Sequence, residues 1–567
     1  MHLSRVVVAL TILAVLSNAC APAPPPQTSV RSLPGGRVVL GSITDAKVLN
    51  PVLLADVPSG SVIEQIYESL ISLNKETGLP EPRLAERFDQ SPDARTLTFV
   101  LRDGLQWSDG SAFTGDDFLF TAEAVMRSKK TIWKNRFQDI AGARDFADGK
   151  APTIAGIAVS GKTITVSFSQ PSCAALSLMG AFPILPKSVF GHYLDPNDAS
   201  KNLDDAPENV SPTLAMGPFR FKEWLPNDHI TLTRNEHFFL GRPNLDELVY
   251  RVYPSTSGVA AALKTDEVDM ALAQPQDLDD LRSAGNLHLI TYLDTVYTFI
   301  SWNQLRGGKE FFRDQAVRQA LAYGLDWDGI IKTIYAGQAT RIMGPLHVGS
   351  WAYEATGLNP YTYDPARARH LLEGDGWQTD PDGTYAKDGQ RLEFTLLTSA
   401  GDKAREAAQQ IAVEQYRQIG VHVDPRTEAF EALSTRNNQS RDSQYGDDGG
   451  RDFDAILGTQ ANSPDPDTMY IVWHSSSIKS GFNNIGYRNQ GTDQELEEGR
   501  SECAPETRKQ IYSTMNKQLN EEQPFDFGFI AKSLVFVNNR VQGVEGGNWY
   551  SFPSAVYMRN AERWSVQ

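Results

Sequence analysis

Cysteine is nearly absent: Cys20, Cys173 and Cys503 are the only three in 567 residues. That excludes a disulfide-dense scaffold and a cysteine-built metal site. Cys173 and Cys503 could pair in an oxidising compartment or serve singly as small core residues, and the sequence leaves both readings open. After the first 20 residues no apolar run approaches the roughly 20 residues that a membrane-spanning helix needs. Positive charge is also in deficit, with Lys+Arg 53 against Asp+Glu 70 and a net charge of −17. With no basic run, nucleic acid is excluded as a partner. The nine histidines are scattered without the one-turn helical spacing of a zinc site, so no metal is expected. Asp380-Pro381-Asp382-Gly383 has its glycine fourth, where an EF-hand loop needs it sixth, and it reads as a hairpin turn. There is no GxSxG elbow, no phosphate-cradling glycine loop and no cysteine-histidine pair. Paired carboxylates such as Asp116-Asp117 suit caps and solvated faces in so acidic a chain, so the expectation is a protein that is not an enzyme and uses no cofactor.

What is present begins with MHLSRVVVALTILAVLSNAC, in which Arg5 precedes an apolar stretch from Val6 to Leu16 and small Ala19 precedes Cys20. The pattern predicts a secretory leader over residues 1–19. Cys20 directly after the small residue resembles a bacterial lipoprotein signal, which implies lipidation of Cys20. Without that resemblance, the segment is an ordinary cleaved leader with an incidental cysteine. Residues 20–37 are proline-rich and lack apolar periodicity, so they read as an extended tether. The remaining body, roughly 530 residues long, exceeds a single core and suggests about three or four structural units. Its 41% hydrophobic and 10% aromatic content is that of a globular protein.

Along the body, RTLTFVLR at 95–102 alternates Leu97, Phe99 and Leu101 with polar residues, and Trp107-Ser108-Asp109-Gly110 supplies a turn. Thr114 or Asp116 caps a helix with Phe118, Thr121, Ala122 and Val125 on one face. KTITVSFS at 162–169 and HITLTR at 229–234 read as strands. Asp314 caps a second helix, and Asp364-Pro365 starts a third. Residues 403–420 make a fourth, with Ala407, Ile411, Val413 and Tyr416 as its expected buried stripe and Gly420 as its stop. Residues 436–452 read as a solvated insertion.

Seven stretches, in order, resemble the solute-binding proteins of peptide and nickel ABC importers. They are LTFVLRDGLQWSDGSAFTGDDFLFT at 97–121, MGPFRFKEW at 216–224, ITLTRNEHF at 230–238, LKTDEVDM at 263–270, FFRDQAVRQALAYGLD at 311–326, YDPARARHLLEGDGW at 363–377 and NNIGYRNQGTDQEL at 483–496. The likeness runs from about Val38 to about Val544, with Arg102, Asp109, Gly110, Arg318 and Trp377 as framework. It implies an α/β, bilobal periplasmic-binding-protein fold with an extra subdomain and a two-strand hinge. By that analogy lobe I takes 38–75, 215–295 and 530–567, the extra subdomain 76–214, and lobe II 296–529. The hinge then passes through Tyr297 to Trp302 and near Phe529. The implied function is an extracytoplasmic, membrane-anchored or periplasmic monomer that captures peptides between its lobes and delivers them to an ABC permease and its ATPase.

The resemblance also nominates a ligand site. Peptide binders of this kind hold the peptide as an added strand and grip its amino end with an aspartate in a loop containing an Asp-Pro pair. Here that loop is ANSPDPD at 461–467, and the position of that aspartate is Asn462. A neutral partner gives a hydrogen bond worth about 1 kcal/mol, against roughly 1.5 to 3 for a charged one. Gln460, Asn462 and Asp465 are therefore candidates. Their amides leave an oligosaccharide or another polar solute as the alternative cargo, with Trp302, Trp351 and Trp473 as stacking platforms or as plain core. A secreted hydrolase is a further, weaker alternative. Asp56 and Ser59 after the first strand are candidates too, with a simple helix cap as the competing reading, and Asn303 follows the hinge strand.

Overall fold

The computed structural model describes residues 35–194, 201–438, 450–463, 465–546 and 558–567. The leader, Cys20, most of the tether and the greater part of the 436–452 insertion lie outside them. Alternation and capping act locally as the sequence suggests. Strand β1 (Arg37–Ser42) leads to helix α1 (Val57–Ile66), and a four-stranded sheet is then built from β2 (Ala85–Gln90), β3 (Thr96–Leu101), β4 (Ile157–Ser160) and β5 (Thr163–Ser167). Leu97, Phe99 and Leu101 all point into the core of that sheet. Against it packs α2 (Gly115–Arg127), where the Thr114 cap and Asp117 exchange hydrogen bonds in a capping box. Gly115 is required by contact: a Cβ there would lie 2.7 Å from Val159 Cγ1 and 2.9 Å from Ile164 Cγ1.

The chain then supplies β6 (Phe219–Leu225), β7 (His229–Arg234), β8 (Glu247–Val252), α3 (Thr256–Lys264), β9 (Met270–Ala273) and the long β10 (Leu287–Trp302). After α4 (Gln315–Tyr323) and α5 (Pro365–Gly374) come β11 (Glu393–Ser399), α6 (Lys403–Gln418), β12 (His422–Glu428) and β13 (Ala455–Ala461). Helices α7 (Gln490–Ser501) and α8 (Pro505–Glu522) precede the second long strand, β14 (Phe525–Asn538). The expected Asp380–Gly383 hairpin turn is present, and its two aspartates both pair with Arg391.

One sheet runs through the whole molecule in the order β12-β11-β13-β10-β14-β9-β1-β8-β7-β6. β1, β8 and β9 are parallel at one end, and β11, β12 and β13 are parallel at the other. Only β10 and β14 belong to both ends. The early part of β10 pairs with the late part of β14, Leu293 opposite Lys532; the register then breaks, and pairing resumes at Tyr297 opposite Ile530. Three residues, Asp294 to Val296, thus face the single Ala531. The apolar cores divide at the same place. Val38, Leu40, Tyr292, Val535 and Val537 share one cluster, and Ile300, Trp302, Leu396 and Phe529 share another. Tyr297 to Trp302, expected as the hinge, pair with β13 as well as with β14, and the β10–β14 register shifts twice, just before Tyr297 and again between Thr298 and Phe299 beside Phe529.

Two further expectations shift. The buried row of α6 is Ala408, Gln409, Ala412 and Tyr416, so the predicted stripe is out of register except at Tyr416. Two alanines let the helix approach the sheet closely, and the Gln409 amide donates to the carbonyls of Leu396 and Arg426 at 2.7 and 3.1 Å. Such a buried amide is invisible to a purely apolar pattern. The open question about the cysteines also resolves: Cys173 and Cys503 form a disulfide across a sequence separation of 330, with Cα atoms 5.3 Å apart. Cys173 follows the small sheet and Cys503 follows α7, so the bond ties the two bodies together away from the β10–β14 ladder. The Cys173 N–H also donates to the Arg500 carbonyl at 3.2 Å. Reduction, or Cys173→Ser, is expected to lower unfolding stability by about 4 kcal/mol, the order for a long closed loop, and to enlarge the radius of gyration of the ligand-free protein in small-angle scattering. An unchanged melting curve and radius would show that the bond restrains nothing.

Candidate functional site

In open α/β sheets, ligands settle outside the carboxyl ends of the strands. The carboxyl ends of β1, β8 and β9 open here onto a cavity of about 360 Å³, bounded by the start of α1 and by the crossing strands. Thr44 and Asp45 follow β1, Gln274 follows β9, and Tyr292 and Asp294 come from β10. Among the described residues the wall includes two carboxylates, Asp45 and Asp294, and no lysine, arginine or histidine. Asp45 Oδ2 already accepts from Trp224 Nε1 at 3.1 Å and from the Asn227 N–H at 2.7 Å. Asp294 Oδ1 accepts from the Val296 N–H at 3.2 Å, the Thr295 N–H also contributes, and no cation among the described residues pairs with it. Burial without a counter-ion pushes its carboxyl above the usual carboxylate range.

A second cavity, of about 330 Å³, lies beside other residues of α1, and most of its carboxylates are paired, while Arg136 on its wall meets only the Leu178 carbonyl and the Trp133 ring among the described residues. Arg83 meets Glu68 at 2.6 Å, and Arg559 meets Glu64 at 3.4 Å. The cavity at the strand ends is the one whose unpaired charges are carboxylates.

The residues nominated from sequence fall into three groups. Gln460 and Asn462 lie at the crossing: Gln460 pairs with Tyr297, and the Asn462 N–H donates to the Thr295 carbonyl at 2.8 Å. The Asn462 side chain is 7% exposed. Its Nδ2 donates to the Pro345 carbonyl at 2.7 Å, which fixes the amide orientation and leaves Oδ1 without a partner among the described residues. Asp56 and Ser59 form a cap. Asp56 accepts from both the N–H and the Oγ of Ser59, and Ser59 Oγ accepts from the Lys47 and Val48 N–H groups. Their neighbours Val57 and Pro58 are the ones that line the cavity.

The third group is held in the second body. Trp302 is fully buried, stacked on Phe312 with ring centres 5.2 Å apart and edge-on to Phe394. Trp473 is fully buried against Phe525 and Tyr487. The half-buried Trp351 lies edge-on to Tyr512, with the Arg508 guanidinium 5.3 Å from its ring centre. Asn303 is buried and donates to the carbonyls of Arg451 and Phe453, which shapes the turn after β10. Asp465 is bidentate to Arg508 at 2.7 Å on both oxygens, and both side chains are buried. Asp467 pairs with Arg500 at 2.9 Å. Asp465 and Asp467 therefore stitch the loop to α7 and α8, and breaking so buried a pair costs about 3 to 5 kcal/mol. Sequence reasoning missed Asp294. Its signal was a single carboxylate in the middle of LHLITYLDTVYTFISW, an otherwise apolar and β-branched run.

His347 braces the same crossing. Its Nδ1 accepts from the Gly349 N–H at 2.9 Å, so Nε2 carries the proton and donates to the Asp294 carbonyl at 3.0 Å. Burial pushes the imidazole down to about 4, whereas an unfolded histidine titrates near 6.5. The folded state prefers the neutral ring, so this contribution is complete above about pH 6.5 and is lost as pH falls toward about 4. Acidification from pH 7 to pH 4.5 should cost the wild type roughly 3 kcal/mol more than it costs His347→Gln, as read from denaturant midpoints. Equal losses in the two proteins would place the acid sensitivity elsewhere.

Comparison with known proteins agrees with this arrangement. The family model "Bacterial extracellular solute-binding proteins, family 5 Middle" matches residues 80–481. The oligopeptide-binding protein AppA of Bacillus subtilis is 26% identical over 574 residues, covering 98% of this chain and 97% of its own. The structure of that protein in complex with a nonapeptide covers 95% of this chain with a TM-score of 0.72 at 25% identity. NikZ from Campylobacter jejuni in complex with Ni(L-His) covers 93% of this chain and 99% of its own, with a TM-score of 0.75 at 24% identity, a likeness of fold. With this two-bodied α/β architecture and a family match over most of its length, the chain belongs to the bacterial extracellular solute-binding proteins of family 5.

Proposed function

We propose that the protein is the substrate-binding component of an ABC importer and that its cargo is peptide. The observation that carries the peptide reading is an open backbone edge. β13 pairs with β10 along its whole length, but on its other side it pairs with β11 only at Ala455 and Ile456. From Gly458 to Ala461 no strand covers that side among the described residues, and Thr459 and Ala461 are exposed. An extended peptide can add there as a strand, with main-chain hydrogen bonds supplying affinity and the cavity receiving side chains. The oligosaccharide alternative loses support because two of its three stacking candidates, Trp302 and Trp473, are core.

The proposed lobes are 38–75 with 215–295 and 530–567, and 296–529, with 76–214 as the extra subdomain. The division of the apolar cores and the register break at Asp294 to Val296 support that reading. Closure by bending at the break would bury the ligand before a monomer docks on its permease and ATPase. A thermal-shift screen of peptides against oligosaccharides tests the cargo. A ligand present at 100 times its dissociation constant adds about 2.7 kcal/mol of stability, and peptides alone are expected to give that shift; stabilisation by sugars alone overturns the reading. We further propose that residues 1–19 are removed and that lipidated Cys20 holds the protein at the membrane. Cys20→Ser should then move it to the soluble fraction, and continued membrane retention would refute an anchor at that residue.

A further inference from the structure

Asp294 stands out among the carboxylates that line either cavity. It sits in the three-residue bulge where β10 passes between the two bodies, it lines the cavity at the strand ends, and it makes no ion pair with any described residue. The groups around it are acceptors or neutral. Its own backbone carbonyl takes the His347 Nε2–H. The next residue, Thr295, is fully buried with an unpartnered Oγ1. Asn462, whose N–H is held by the Thr295 carbonyl, has an unpartnered Oδ1. The mouth of the same cavity is apolar, with Ile43 at 50% and Leu272 at 46% exposure. Thr295 and Asn462 lie behind the cavity wall, whereas Asp294, Ile43 and Leu272 line it; an unpaired carboxylate among exposed aliphatic walls makes a receptor for a cation on a hydrocarbon stem.

Resting on the peptide-binding reading, we infer that Asp294 is the counter-ion for a cationic group of the bound ligand, an ammonium or guanidinium that enters the cavity past Ile43 and Leu272. Two parts of a peptide carry that chemistry, the free amino end and a basic side chain. Among the described residues, His347 meets Asp294 through the backbone and is neutral, and Lys532, the cation on the facing strand, stands opposite Leu293 and forms no ion pair with Asp294. A basic ligand group would complete a pair that the protein leaves half made.

Isothermal titration of the full chain with four pentapeptides tests this. One is neutral, acetylated and norleucine-bearing; the second is the same peptide with a free amino end; the third is acetylated with lysine in place of norleucine; the fourth has both charges. Wild-type protein should bind at least one of the charged peptides about tenfold or more tightly than the neutral one. Asp294→Asn should abolish that difference, whatever it does to the affinity for the neutral peptide, while Asp294→Glu should retain part of it. A preference confined to the second peptide identifies the amino end, and one confined to the third identifies a side chain. If wild type binds the neutral and charged peptides equally, the inference is wrong although the peptide reading stands, and the same holds if Asp294→Asn weakens all four alike. If no peptide binds wild type, the peptide reading fails and this inference falls with it. If Asp294→Asn does not fold, Asp294→Glu carries the test: a charge preference identical to wild type in that variant would overturn the inference.

Discussion

The antiparallel ladder of β10 and β14 is the constraint on which the architecture depends. Every other strand of the large sheet belongs to one end, so the two bodies are joined within that sheet by these two strands alone. Their apolar residues are shared out accordingly: Leu534 to Val537 are buried at one end, and Phe525, Phe527, Phe529 and Ile530 at the other. The pairing of this buried ladder shifts twice, at Asp294 to Val296 opposite Ala531 and again between Thr298 and Phe299, and a bulge bends and twists the strand that carries it. The first shift turns polar groups out of the ladder and into the cleft. A bulge is thus both a bend in the ladder and the source of the unmatched carboxylate.

Around this crossing the protein spends its charge in two ways. Asp465 and Asp467 of the ANSPDPD loop are neutralised by Arg508 and Arg500, and Arg500 in turn lends its carbonyl to the residue that carries the interbody disulfide. Desolvating these aspartates is tolerable only because each faces a guanidinium, with bidentate geometry at Asp465. The two aspartates brace the chain against α7 and α8, which explains why the most visible feature of that loop, the repeated aspartate, is structural. Asp294 has no such partner among the described residues, and that contrast in pairing, more than any difference in burial, is the ground for proposing it as a binding carboxylate.

How much of this the sequence displayed depended on the length scale of each signal. Short-range rules were legible: alternation over 96–101, the Thr114 and Asp314 caps, the Asp364-Pro365 helix start and the Asp380–Gly383 turn are set by a few neighbouring residues. The α6 face was misread by one position because Gln409 is buried for its hydrogen bonds and small alanines carry the contact, both contrary to an apolar stripe. The tryptophans were ambiguous for a related reason, since a large ring at a strand end suits a core or a platform equally well, and only the surrounding Phe312, Phe394, Phe525 and Tyr487 decide it. Asp465 and Arg508 are 43 residues apart, and Cys173 and Cys503 are 330 apart. Pairings at such distances are products of the fold and leave no local trace.

An unpaired carboxylate at the crossing also bears on how closure and ligand charge are coupled. Bringing the bodies together removes water from Asp294, and without a counter-ion that desolvation opposes closing. A cationic ligand group reverses the sign, because the same loss of water strengthens its attraction to the carboxylate. Charge on the ligand would then act mainly on the closed state, and a ligand shifts a conformational equilibrium only by its differential affinity for the two states. The disulfide limits how far the bodies separate when the cleft is empty, so less of the binding energy is needed to bring them back together. Neutral solutes of similar shape could occupy the open cleft yet leave the closing step opposed, which makes the bulge a point of selection as well as of motion.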